Sequence, residues 1–124
     1  AQMPHAWKIG SNIVPHIHWM PTTTNTGSVL WRMEYKWTSI FETESGSWTT
    51  VDVLTAADGI AFKHQLSSFG PISGQGKGLS SILTIKISRI GGDGSDTYTG
   101  DALLKEFDIH YEMDSHGSTR EYIK

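Results

Sequence analysis

Ser28-Val29-Leu30-Trp31-Arg32-Met33-Glu34-Tyr35-Lys36-Trp37 decides the fold class of this chain. Val29, Trp31, Met33, Tyr35 and Trp37 fall on one side of a two-residue period, with Leu30, Arg32, Glu34 and Lys36 on the other. Successive side chains of a strand point to opposite faces, so this segment is an amphipathic strand with one aromatic, core-facing side. A helix would scatter the same residues around its circumference.

The design recurs on both sides of this segment. In 104–114, Phe107, Ile109, Tyr111 and Met113 oppose Glu106, Asp108, His110, Glu112 and Asp114. In 81–90, Leu83, Ile85, Ile87 and Arg89 oppose Ile82, Thr84, Lys86, Ser88 and Ile90, and apolar residues on both sides predict cover on both sides near the ends. Shorter strands are expected at 12–20, 48–54 and 60–66. Gly-rich turns are expected at 22–27, 44–46, 57–59, 70–78 and 91–100, where glycine tolerates positive φ. Leu103–Phe107 has the best helical pattern, and it reads better as the start of a strand. Short alternating strands with Gly-rich connections predict an all-β sandwich or barrel.

The 124 residues fit one domain, 1–124. The chain starts at Ala1 rather than Met, and the expectation is that it is part of a longer protein. A net charge of −3 with singly scattered cations argues against a nucleic-acid partner. No apolar run approaches the roughly 20 residues of a membrane-spanning helix, so no membrane insertion is expected. The absence of cysteine removes disulfides, thiolate catalysis and zinc–thiolate sites.

Five tryptophans stand in this short chain. Trp31 and Trp37 belong to the core by their position on the strand. Trp7 and Trp48 are the candidates for exposed loop positions, with a subunit interface preferred to a sugar platform. The acidic side of 106–114 reads as a solvated face, paired across strands with Arg32 and Lys36, or as a polar seam between identical subunits.

Pro15-His16-Ile17-His18-Trp19 carries the best candidate for chemistry. On a strand His16 and His18 share one face, and Ile17 and Trp19 share the other. His110 or Asp108 supplies a third donor if the first and last long strands are neighbours, and such a set suits zinc or another divalent ion. The preferred reading is a solvated or subunit-facing histidine pair without metal, because no carboxylate is spaced after His18 as a cupin requires and His64 lies in an unremarkable segment. Ser73–Gly78 lacks the pattern of a phosphate loop and reads as a flexible connection. Gly91–Asp96 lacks the spacing of a calcium loop and reads as a turn. No nucleophile elbow is present, and no catalytic residue or cofactor is expected.

Several segments together resemble a small β-domain of tailed-bacteriophage virion proteins: Gln2–Lys8, His16-Ile17-His18-Trp19, Ser67–Gly74, and Ser88 through Tyr111. The resemblance covers most of the chain and implies a jelly-roll-like antiparallel β-sandwich, a homotrimer, and a non-enzymatic structural role in the phage particle. Its partners would be other capsid or tail proteins, as a capsid decoration or a fibre or appendage domain, and the domain would follow an upstream segment. Two other functions compete with this one. A receptor- or carbohydrate-binding tip, contacting a host surface glycan, predicts Trp48 or Tyr98 exposed in a groove. A cupin-like metal-binding protein predicts metal at His16, His18 and His110.

Overall fold

Alternation of apolar and polar residues produces six strands, and burying their apolar sides requires two sheets face to face. The computed structural model describes residues 1–117. Its strands are β1 (Ile13–Pro21), β2 (Thr26–Thr38), β3 (Thr49–Asp58), β4 (Gln65–Ser68), β5 (Ile82–Arg89) and β6 (Ala102–Tyr111). They form two antiparallel three-stranded sheets, β4-β1-β6 and β3-β2-β5. The chain is an all-β sandwich. Its six strands compare with the eight of a complete jelly roll, and β1 pairs with β6 as β2 pairs with β5.

The core lies between the two sheets. From β1 come Ile13, Ile17 and Trp19, and from β2 come Val29, Trp31, Met33 and Trp37, all buried as the alternation predicts. Trp19 and Trp31 meet across the sheets at 5.8 Å between ring centroids. Two serines satisfy buried indoles: Trp19 Nε1 donates to Ser67 Oγ, and Trp37 Nε1 donates to Ser81 Oγ, each at 2.9 Å.

The N-terminal segment closes one side of the sandwich. Met3 N donates to Ser81 O beside β5, and Lys8 N donates to Glu112 O just past β6. Trp7 is fully buried within this segment and packs at 5.5 Å against Trp37. The expectation of an exposed Trp7 is therefore wrong: Pro4 and Gly10 mask any periodicity around it, and tertiary contact buries it. Gly74 approaches the same cluster. A side chain there would collide with the Ser11 carbonyl and the Trp7 ring, so 70–78 is a packed connection at this point rather than a loose one.

The structure corrects other expectations. Residues 60–66 are not one strand: β3 runs on to Asp58, a turn with Phe62 at φ 60° follows, and β4 starts at Gln65. Residues 57–59 accordingly hold the end of a strand, with Ala57 buried opposite Gly27. Arg32 and Lys36 do not pair with the acidic side of β6, because they lie in the other sheet. Arg32 binds Asp52 through two bonds of 2.8 and 2.9 Å, and the Lys36 ammonium lies over Trp48. Ile82 and Met113 are exposed, although the N-terminal segment bridges to both, Gln2 to Ile82 and Trp7 to Met113 past the end of β6. Arg120 and Lys124, two of the scattered cations, lie outside the described residues.

Candidate functional site

On the central strand β1 every second residue faces outward, and both neighbouring strands present partners beside it. The register sets His16 opposite Ser68 on β4 and Asp108 on β6, and His18 opposite Leu66 and Glu106. Val14 pairs with His110, one step along the same face. The condition for a cluster, β1 beside β6, is thus met, and the structure brings His16, His18, Asp108 and His110 together.

Asp108 is the centre of the group. His16 Nε2 lies 2.5 Å from its Oδ1, and His18 Nε2 lies 3.1 Å from its Oδ2. Oδ1 is buried and has no hydrogen-bond partner among the described residues, so the close His16 contact does not have the geometry of a hydrogen bond. His16 faces outward and is nevertheless only 4% exposed. The ring of His110 packs edge-on at 4.5 Å and that of His18 at 5.0 Å. A nitrogen of His16, an Asp108 oxygen and a nitrogen of His110 all lie within 4.8 Å of one another.

A fourth histidine completes the group. His64 Nε2 lies 2.6 Å from His18 Nδ1. With His18 neutral and its Nε2–H directed at the carboxylate, Nδ1 is an acceptor and His64 Nε2–H is the donor. The order His64 to His18 to Asp108 holds the carboxylate in place from one side. His64 arrives on the 59–64 turn, which Phe62 N anchors by donating to Pro21 O at 2.7 Å. Sequence reading set His64 aside because a strand was expected there, and the turn that aims it at β1 has no periodic signal.

The other candidates fall elsewhere. Tyr98 is 3% exposed and its hydroxyl is taken by the Thr22 and Thr23 amides and the Thr23 hydroxyl, so it is no ligand platform. Trp48 is half-buried, and the ammonium groups of Lys36 and Lys86 lie 4.7 and 4.1 Å from its ring centre. Both lysines make cation–π contacts with this ring. Of the two aromatics the glycan reading names, Tyr98 is buried and Trp48 is partly exposed.

The 91–100 loop is held by Arg89. Its guanidinium donates to both oxygens of Asp96, at 3.0 and 2.7 Å, and to the carbonyls of Tyr98 and Gly100 at 2.6 Å each. Asp96 also accepts from Leu30 N at 2.9 Å. The Arg89 hydrogen bonds hold the Asp96 carboxyl below the usual carboxylate range against the opposing effect of burial, and the Leu30 amide adds to them. This carboxylate is committed to structure, consistent with a turn rather than a calcium loop. A surface depression of about 410 Å³ beside residues 38–42 contains one ionisable side chain, Glu42, which is bound by Ser39 N and Lys77.

Comparison with protein families, with curated proteins and with solved structures finds no match for this chain.

Proposed function

We propose that this chain is a non-enzymatic structural module of a tailed-phage particle, a capsid decoration or a fibre or appendage domain that assembles with copies of itself as a trimer. The phage assignment rests on the resemblance of Gln2–Lys8, His16–Trp19, Ser67–Gly74 and Ser88–Tyr111 to that family. The assembly rests on one observation. Four large apolar side chains are exposed around the last four residues of β1: Phe62 at 60%, Leu66 at 50%, Leu104 at 44% and Leu103 at 38%. Leu66 stands opposite His18, Leu104 opposite Trp19, Leu103 opposite Met20, and the Phe62 amide is bonded to Pro21 O.

Single exposed apolar residues are ordinary on a protein surface, but a group of them at one end of a sheet marks a contact. A second copy of the chain is the occupant we assign, because closed symmetric homo-oligomers are the common way to bury such a surface. The register shifts between His18 and Trp19, and past it the consecutive β6 residues Leu103 and Leu104 are both exposed. Light scattering of the protein with Phe62→Asp or Leu104→Asp tests this reading. A folded monomer from the variants and a trimer from the unsubstituted chain support it, and a monomer from both contradicts it.

A further inference from the structure

The geometry points to a divalent transition-metal site on the outer face of the β4-β1-β6 sheet, with His16 Nε2, Asp108 and His110 as ligands and zinc as the ion its donors suit. Two imidazoles and a carboxylate are zinc's common oxygen and nitrogen ligands, and the absence of thiolates excludes only the sulfur-bound classes. The three donors come from adjacent strands in fixed register.

Two features separate this group from a chance cluster. The first is the close contact of the buried His16 with a buried Asp108 Oδ1 that has no hydrogen-bond partner among the described residues. Two such atoms brought together without a hydrogen bond between them are placed for one ion. The second is the outer support. His18 binds the other carboxylate oxygen, and His64 binds His18, as the groups that orient metal ligands do. Ligand bonds of zinc space tetrahedral donors about 3.3 Å apart. The closest pair, at 2.5 Å, therefore opens by about 0.8 Å. The remaining distances, all within 4.8 Å, close by at most about 1.5 Å. Asp108 and His110 have the exposure to make that movement.

Three protein donors leave the fourth tetrahedral position to water. Bound metal would tie β6, an edge strand, to β1 and raise the stability of the sheet that carries Leu103 and Leu104. The site does not depend on the assembly proposed above, since all its ligands belong to one chain.

The test is zinc titration of tag-free protein, stripped with a chelator, at pH 7.5, with cobalt(II) as the spectroscopic probe. One saturable zinc per chain is expected, together with a rise in melting temperature and a visible cobalt absorption. His110→Gln, at an exposed position, and Asp108→Asn, at a half-buried one, are expected to weaken binding at least about tenfold while keeping the circular dichroism of the folded sheet. His116→Gln, a surface imidazole outside the cluster, is expected to leave binding within about twofold, against the tenfold loss of a ligand-shell change. Absence of saturable binding, equal binding by the His110→Gln protein, or loss on His116→Gln instead would overturn the proposal.

Discussion

Trp19 on β1 and Trp31 on β2 face each other across the sandwich at 5.8 Å, and they differ in one atom's surroundings. The Trp19 indole N–H is bonded to Ser67 Oγ, whereas the Trp31 indole N–H is buried with no hydrogen-bond partner among the described residues. Trp31→Ala is expected to cost about 3–5 kcal/mol as a large-to-small change in the core. Trp31→Phe removes an unsatisfied donor, and Trp19→Phe breaks a bond. The second change is therefore expected to cost about 1–2 kcal/mol more than the first. Urea unfolding of the three variants measures both differences, and equal costs for the two phenylalanine variants would refute the contrast.

Arg89 and Asp96 provide the acid-sensitive tie. Asp96 is almost fully buried at its side chain and is paired twice with Arg89. Asp96→Ala leaves a partly buried guanidinium and the Leu30 amide without their partner, and a loss of about 3 kcal/mol is expected. The folded carboxyl titrates below its unfolded value, so its contribution is fully present above about pH 3.9 and is lost as pH falls through the folded value. Asp96→Asn should flatten that part of the acid limb in an unfolding series from pH 5 to 2. The exposed Arg32–Asp52 pair makes similar bonds, and Asp52→Ala is expected to cost under about 1 kcal/mol.

Gly27 has φ 113°, and a side chain there would lie 2.8 Å from the Thr97 carbonyl. It lets the start of β2 press against the 97–98 backbone, whose two amides both donate to Ser28 O. Gly27→Ala combines an unfavourable φ with a backbone collision and is expected to lose about 1–3 kcal/mol. Gly91→Ala, where a side chain meets open space, is the comparison. Thermal unfolding separates them, and equal melting temperatures would contradict the close approach.

Much of the fold is legible in the residues because a half-buried strand writes its orientation as alternation. Val29, Trp31, Met33 and Trp37, with Ile17 and Trp19, are buried in the expected sense, Leu30 is buried against it, and the His16–His18 pair lies on the face opposite Ile17 and Trp19. The third donor depended on which strand neighbours β1, and Asp108 and His110 were conditional for that reason. Pairing of β1 with β6 spans most of the chain, and local sequence carries no register for it. The places of His64 and Trp7 are illegible locally: each sits on an irregular segment whose position is set by long-range contacts, Phe62 with Pro21 and Trp7 with Trp37. The segment 60–66 alternates like a strand, yet its first five residues complete the crossing between sheets and the pairing begins only at Gln65.

The central claim is that this sandwich is a building unit whose apolar surface around His18–Pro21 is covered by further copies of the chain. Multi-angle light scattering of the unsubstituted protein tests it most directly. The account predicts a mass of three chains, and a mass of one chain across the accessible concentration range would contradict it.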